Sequence, residues 1–569
     1  MYRRICKETP RTVKKSVMSV AIHGIGIISA IGKNANETIT HLREGRSGVE
    51  RMRYLPSEHK ELPVGEVKMS NSELKSELGI PESQVVSRTT LLGVYATRQA
   101  ISDAGLSVSD INSMRSVFIS GTTVGNMDLA PDIQANWSLG SETDDIVSLC
   151  GLNSETCTVS TACSSALNAL ILGAEILRND EADIVIAGGS EALSLLHLNG
   201  FNSLLILDHE RCRPFDDTRA GLNLGEGAAY VVMVKSGLAK GDVYITGYAN
   251  RCDAFHQTAS SDDGEGAFQA MTGALTMANI KCDDISYINA HGTGTPNNDI
   301  SESRALQRVF GDRVPAVSST KGYTGHTTSA SGSIETVICI LAMRHGFIPA
   351  NVGWKRQING GITPSMGEEH AELHHVMCNS FGFGGNDSSI IISDSPSATK
   401  EKIERYDSEV MADVTITDES QLNELKEYIS PMAARRMGKL MKAATLSSMK
   451  VLKNTGIEKP DAIITATAFG MFETSKKLLD GLVEGGEHSF SPTLFMQSTH
   501  NTIGSAVAIR NKCHGYNITY VQGEKSMEWA LRDAHRLISK GRAKTVLVGH
   551  HDEFGQLYSR SMIIKRVTK

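Results

Sequence analysis

The stretch Val159–Leu170 reads VSTACSSALNAL: a β-branched run stops at small residues, one cysteine follows, and an apolar helical pattern begins at once. A cysteine at such a corner has what nucleophilic catalysis needs. Unpaired N–H groups of a first helical turn favour a thiolate by ~0.3–1 kcal/mol, and by up to ~2 when partly buried. The same N–H groups can hold the oxyanion formed when the sulfur adds to an acyl carbonyl. Ala162, Ser164 and Ser165 are small enough to leave room for an acyl chain. The competing reading of Cys163 is a packed core cysteine, a common fate of an intracellular thiol.

Two later stretches add to the chemistry. INAHGTGTPNND places His291 after a short apolar strand, in a Gly/Thr loop that lets backbone approach a ligand. SSTKGYTGHTTSASGSIE offers Lys321, His326 and Glu335, with His326 just ahead of another apolar helix. A single loop histidine is ordinarily structural, but two of them beside a corner cysteine favour catalysis. No H-E-x-x-H spacing accompanies them, so neither a metal site nor an organic cofactor is implied.

The elements that must position these groups alternate in type. From Met18 to about Ser395, short β-branched strands (SVAIHGIGI, SVFISGT, ETCTVST, DIVIAGG, AYVVMVK) interleave with helices such as SSALNALILGAEILRND, which is apolar on nearly every face. That alternation implies layered α/β architecture. With 569 residues there is room for three or four domains of ~150 each. The net charge of −7 argues against a general nucleic-acid binder. No apolar run reaches the ~18 residues of a membrane helix, so no membrane contact is expected. Ten scattered cysteines without C-x-x-C spacing fit a reducing cytoplasm. Residues 1–17 are expected to be a basic extension ahead of Met18, and polar residues 396–430 a linker.

After that linker the chain repeats itself. FISGTTVGNMD is echoed by IITATAFGMFE, with Gly125 falling on Gly470, and ADIVIAGGSEAL is echoed by AKTVLVGHHDEF, with Gly188 falling on Gly549. YVQGEKSMEWAL repeats the outline of the cysteine corner with Glu524 in the place of Cys163. Three elements in order indicate that residues 431–569 are a second copy of the first half of the main domain.

The segments VSTACSSALNAL, CRPFDDTRAGLNLGEGA, NAHGTGTPNND, STKGYTGHTTSASGSIE and NSFGFGGND occur in the order and near the spacing of one family. On these motifs the chain from Met18 to Ser395 resembles the decarboxylating β-ketoacyl-acyl-carrier-protein synthases of the thiolase superfamily. The resemblance implies a thiolase-like α/β/α/β/α fold, with one half over 18–240 and the other over 241–395, plus an extra C-terminal α/β half-domain. It implies an acyltransferase that joins an acyl thioester to malonyl-acyl-carrier protein by decarboxylative Claisen condensation, for fatty acid, polyene or polyketide synthesis. Cys163 corresponds to the nucleophile. His291 and His326 correspond to the pair that promotes decarboxylation and stabilises the enolate. Lys321 and Glu335 correspond to the charged pair that supports this site. Phe383 corresponds to the gate, whose N–H joins that of Cys163 in the oxyanion hole.

Two features depart from the family pattern. The Gly-Gly-Thr-Asn that follows the gate becomes Gly385, Asn386 and Asp387, and the segment between Asp128 and Cys163 is short. In the second copy, Glu524 replaces the nucleophile and no counterpart of His291 or His326 follows, so this copy resembles chain-length-factor partners. It is expected to dock on the catalytic copy as an intramolecular pseudo-dimer, with YNITYVQ (516–522) against ETCTVST; a homodimer is the alternative. Phe469, Met471 and Phe472 fall where the first copy has Val124, Asn126 and Met127. Those three are therefore expected to line the acyl tunnel with Val124. The rival functions are a thiolase-type acyl-CoA acyltransferase and a non-catalytic, carrier-binding subunit. Intact Cys163, His291 and His326 oppose the latter. Cys378 lies upstream of the gate, not where a thiolase places its second cysteine.

Overall fold

Runs rich in Val, Ile and Ala, such as Val20–Ser29 and Gly227–Lys235, form strands buried along almost their whole length. Continuous apolar runs do so when helices cover both faces of a sheet. The structure is a computed structural model that describes residues 16–17, 19–127, 138–235, 241–397, 400–401 and 405–567. Apart from Ser16 and Val17, which pair with Lys400 and Glu401, the N-terminal extension lies outside the described residues. So do residues 128–137, the first part of the shortened segment between Asp128 and Cys163.

Fifteen of the described strands join one sheet. In chain order they are β1 (Val20–Ser29), β2 (Ser116–Gly121), β3 (Glu155–Val159), β4 (Ile184–Glu191), β5 (Gly227–Lys235), β6 (Val243–Cys252), β7 (Tyr287–Asn289) and β8 (Ala316–Ser318). They continue as β9 (His375–Gly382), β10 (Asn386–Ser393), β11 (Ser408–Ile416), β12 (Ala462–Ala466), β13 (Tyr516–Tyr520), β14 (Thr545–Asp552) and β15 (Tyr558–Arg566). The spatial order is β8-β7-β9-β10-β6-β1-β5-β4-β2-β3-β13-β12-β14-β15-β11.

One five-stranded motif accounts for this order three times. In β3-β2-β4-β5-β1 the first two pairings are parallel and the last two antiparallel. The same sequence of orientations runs through β8-β7-β9-β10-β6 and through β13-β12-β14-β15-β11. Two apolar helices, α1 (Ser165–Arg178) and α3 (Ser331–His345), are buried between the first two motifs and touch strands of both. These helices form the middle of the α/β/α/β/α layers. They approach closely because Gly332 has no side chain: a Cβ there would lie 2.6 Å from that of Leu167.

The polar segment read as a linker over 396–430 is not all linker. Residues 408–416 form β11, which stands in the second copy where β1 stands in the first. Its polarity has a structural cause. β1 is covered by β5 on one side and paired at Val20–Ile22 with β6 on the other. The second copy has no β6 counterpart among the described residues, so β11 is an edge strand. Its acidic residues Glu409 and Asp413 pair with Lys565 and Arg560 of β15, and charged residues suit an exposed edge.

The two copies meet at β3 and β13, antiparallel, with Val159 opposite Tyr520. Ser160 N–H donates to Thr519 O at 3.0 Å and Val521 N–H to Thr158 O at 3.0 Å. Around this seam one apolar cluster runs through both copies, from Cys157, Val159 and Leu170 to Ile518, Tyr520 and Trp529. Trp529 comes from α7 (Ser526–Ser539), is 2% exposed, and donates its indole N–H to Thr156 O at 3.0 Å. Arg532 and Arg536 of the same helix pair with Glu155 and Glu181 of the first copy. Trp529→Ala should lower the stability of the whole chain by ~3–5 kcal/mol, read by chemical denaturation. A loss below ~1 kcal/mol would show that the seam holds nothing together.

Candidate active site

The corner between β3 and α1 is an elbow. Ala162 has φ 53°, a left-handed conformation that costs a residue with a Cβ ~1–3 kcal/mol. Ser165 fastens the turn, its hydroxyl donating to Ala162 O at 2.6 Å and accepting from Thr161 N at 2.9 Å. The equivalent turn before α7 has Gly523 at φ 54°, with Ser526 Oγ donating to Gly523 O at 2.7 Å. Glu524 therefore does occupy the position of Cys163. It is exposed.

Cys163 is 6% exposed, and its Sγ lies 3.1 Å from His326 Nε2. Burial pushes its thiol up to about 11, while Lys321 and the backbone N–H groups of Phe383 and Cys163 pull the other way. The sulfur thus lies beside the His326 nitrogen, and the two backbone N–H groups converge on it. His326 Nδ1 is 2.9 Å from Ser331 Oγ. That hydroxyl donates or accepts by rotation, so it supports either ring tautomer.

His291 stands edge-on to His326 with ring centroids 5.4 Å apart. Its loop is pinned by Glu302, which accepts from His291 N at 2.9 Å and Gly292 N at 2.7 Å. Lys321 Nζ donates to Glu335 Oε1 and to His291 O, both at 2.5 Å. Burial holds both imidazoles well below their ordinary pKa, and the Lys321 charge reinforces it. Each histidine is therefore a neutral hydrogen-bonding group. Burial raises the Glu335 carboxyl to about 7 against the pull of Lys321.

Cys163 opens into a pocket whose empty space, open solvent at its mouth included, is about 540 Å³. The first copy lines it with Val124, Met127, His197, Phe201 and Phe383. The second contributes Ser475, Phe495, Ser498, Thr499 and His500. Val124 is where the sequence places it, but the other three proposed wall residues are not. Phe469 and Phe472 pack on Phe554, with ring centroids 4.6 and 4.9 Å away. Met471 is buried among Leu440, Met441 and Ile503. The chain turns at Gly470 and enters α4 (Phe472–Gly485), so the residues that reach across come later. Ser475 lies one turn along that helix, and the rest of the wall lies on α5 (Pro492–Ser498) and the turn after it.

That wall is seated firmly. Phe495 packs edge-to-face on Phe201 of α2 (Leu195–Ser203), and Phe201 stacks on Phe383. A Cβ on Gly200 would lie 2.2 Å from the Phe495 ring, so the glycine makes the seat. Glu487 reaches from the second copy to Ser57 Oγ, Glu58 N and Asn199 Nδ2 at 2.6–3.0 Å. Asn501, just before α6 (Thr502–Asn511), donates to Phe383 O at 2.8 Å and to Asn386 Oδ1 at 2.7 Å. Asn386 in turn donates to Asn517 O. The unusual Asn386 thus joins the loop after Phe383 to the second copy. Nothing in the linear spacing announces this clasp or the Phe201–Phe495 contact.

Comparison with known proteins agrees with this arrangement. Residues 18–237 match the β-ketoacyl synthase N-terminal domain and 243–355 its C-terminal domain. A second β-ketoacyl synthase N-terminal domain matches residues 412–562. The chain is 32% identical over 406 residues to 3-oxoacyl-[acyl-carrier-protein] synthase 2 of Synechocystis sp., covering 64% of this chain and 96% of that protein. It is 31% identical over 414 residues to the synthase of that name in Coxiella burnetii, covering 66% and 98%. Among solved structures, the ishigamide ketosynthase/chain length factor aligns with TM-score 0.62 and 28% identity over 66% of this chain and 99% of that one. The PfaC keto synthase-chain length factor aligns with TM-score 0.77 over 97% of this chain and 79% of that one; at 16% identity this is a likeness of fold. The chain belongs to the β-ketoacyl synthase family, the condensing acyltransferases, and carries an additional N-terminal-type synthase domain. Among the described residues no helix is long and apolar enough to cross a membrane.

The wall makes a prediction about product length. Phe495→Ala should open the pocket and lengthen the acyl products, and Gly200→Ala should push the Phe495 ring inward and shorten them. Mass spectrometry of the released thioesters reads both. Unchanged lengths in both variants would remove Phe495 from the wall.

Proposed function

We propose that Cys163 is the acyl-carrying nucleophile of a decarboxylative condensation whose chain length is bounded by the second, silent copy. The observation that carries this is Cys163 Sγ under two backbone N–H groups and 3.1 Å from His326 Nε2, at a pocket walled by both copies. The Cys163 thiol adds to an acyl thioester, and the N–H groups of Cys163 and Phe383 hold the oxyanion. The carbon–sulfur bond to the carrier breaks, and the carrier thiol leaves with the proton that the Cys163 thiol gives up. A malonyl thioester then loses carbon dioxide. The electron pair left behind enters an enolate whose oxygen accepts hydrogen bonds from neutral His291 and His326. The enolate carbon attacks the acyl carbonyl, the Cys163 thiolate departs, and a 3-oxoacyl thioester two carbons longer is released.

An acyl carrier protein suits the role of donor and acceptor, and it appears with a ketosynthase in one structural relative. The paired β3 and β13 support an intramolecular pseudo-dimer in place of a homodimer. Nine described cysteines, all free, suit a cytoplasmic setting. The experiment follows radiolabelled acyl and malonyl groups separately. Cys163→Ala should take up no acyl label and form no product. His326→Ala should still acquire label yet release carbon dioxide ~10²–10³-fold more slowly, the usual cost of losing one such donor. Condensation by Cys163→Ala at the normal rate would overturn the assignment. Loss of labelling in His326→Ala with decarboxylation intact would reverse the roles.

A further inference from the structure

The wall supplied by the second copy holds an unmet demand for hydrogen bonds. His500 is 2% exposed and lines the same pocket as Cys163, yet neither Nδ1 nor Nε2 has a partner. Gly470, with φ 59°, lies against the ring: a Cβ there would come within 2.4 Å of His500 Cδ2. The imidazole is therefore backed by main chain and cannot withdraw in that direction. Burial lowers it to about 4, although Asp552 pulls the other way, so at neutral pH it presents one donor and one acceptor. Ser475, Ser498 and Thr499 place hydroxyl-bearing side chains on the same wall. The first copy's side is more apolar, with Val124, Met127, Leu196, Phe201 and Phe383.

Such a wall is ill suited to a chain that is hydrocarbon throughout. Filling the pocket with methylene groups would expel water and leave ring nitrogens of His500 unpaired, at ~1–3 kcal/mol for each unsatisfied group. A chain carrying oxygen at the right depth avoids that penalty, and a bridging water can serve the second nitrogen. We propose that His500 is a specificity-determining residue, contributed by the silent copy, that hydrogen-bonds a hydroxyl or keto oxygen carried by the acyl chain on Cys163. The inference rests on the condensation reading above and narrows its substrate class to oxygenated acyl thioesters.

The test loads the full-length protein with a ladder of straight-chain acyl thioesters of one length. Each carries a single hydroxyl at a different carbon, and the unsubstituted chain is the reference. Acylation of Cys163 is read by intact-protein mass spectrometry. In the unmodified protein, at least one rung should load about tenfold faster than the reference, within the range expected for one satisfied buried group. His500→Leu should abolish that preference and speed loading of the unsubstituted chain. His500→Gln, which retains a donor and an acceptor, should keep the preference. A flat ladder in the unmodified protein would overturn the inference and leave the condensation reading standing. Equal slowing of every rung in both variants would also overturn it, as that is the signature of a merely structural residue. If no thioester labels Cys163, the condensation reading fails and takes the inference with it. Should His500→Leu prove insoluble, the ladder in the unmodified protein and in His500→Gln decides.

Discussion

The strand that leads to Cys163 has one hydrogen-bonding edge paired to β2 and another that must be covered. β13 of the second copy covers it, with Val159 opposite Tyr520. Both copies then run straight from this seam into an elbow with a left-handed residue, Ala162 or Gly523. The pairing consequently fixes more than a sheet. It sets where Cys163 sits relative to the second copy, and so which of that copy's side chains reach its pocket. α5 and the loop after it cross to α2, and Asn501 reaches the loop of Phe383. The first copy supplies Cys163 and the histidines, and the second supplies the far wall of the pocket beside them.

Within the catalytic half, one buried charge organises the rest. Lys321 is held between Glu335 and the carbonyl of His291, and its field favours neutral imidazoles and a lower thiol pKa together. Neutral imidazoles match an enolate that needs hydrogen-bond donors and not a strong base. Breaking such a buried pair from one side leaves the other charge uncompensated, a costly state. Glu302 and Ser331 complete the arrangement by fixing the backbone of one histidine and supporting the tautomers of the other.

What could be read from the amino acids alone follows a physical division. Cys163, His291, Lys321, His326, Glu335 and Phe383 each sit in a short stretch whose glycines, small residues and adjoining helix signal a local geometry. The structure gathers them as those stretches suggest. The repeat was legible for the same reason, through its turn glycines Gly125 and Gly470. β11 was not, because an edge strand with one exposed face spells itself in polar residues, like a linker. The pocket wall was misplaced because it depends on how far α4 and α5 carry the chain before it crosses the seam. No local pattern around Phe469 encodes that distance, whereas Phe495 and His500 owe their roles to a partner surface hundreds of residues away.

Joining the two copies in one chain also changes how the assembly responds to dilution. The stretch from Ser393 to Ser408 ties them together, so each meets the other at an effective concentration set by a short tether, which for flexible linkers is in the millimolar range. Separate subunits would have to find each other at cellular abundance and in equal number. Here the stoichiometry is written into the gene product, and every molecule holds both walls of the Cys163 pocket. Such a protein keeps its complete pocket however scarce it becomes.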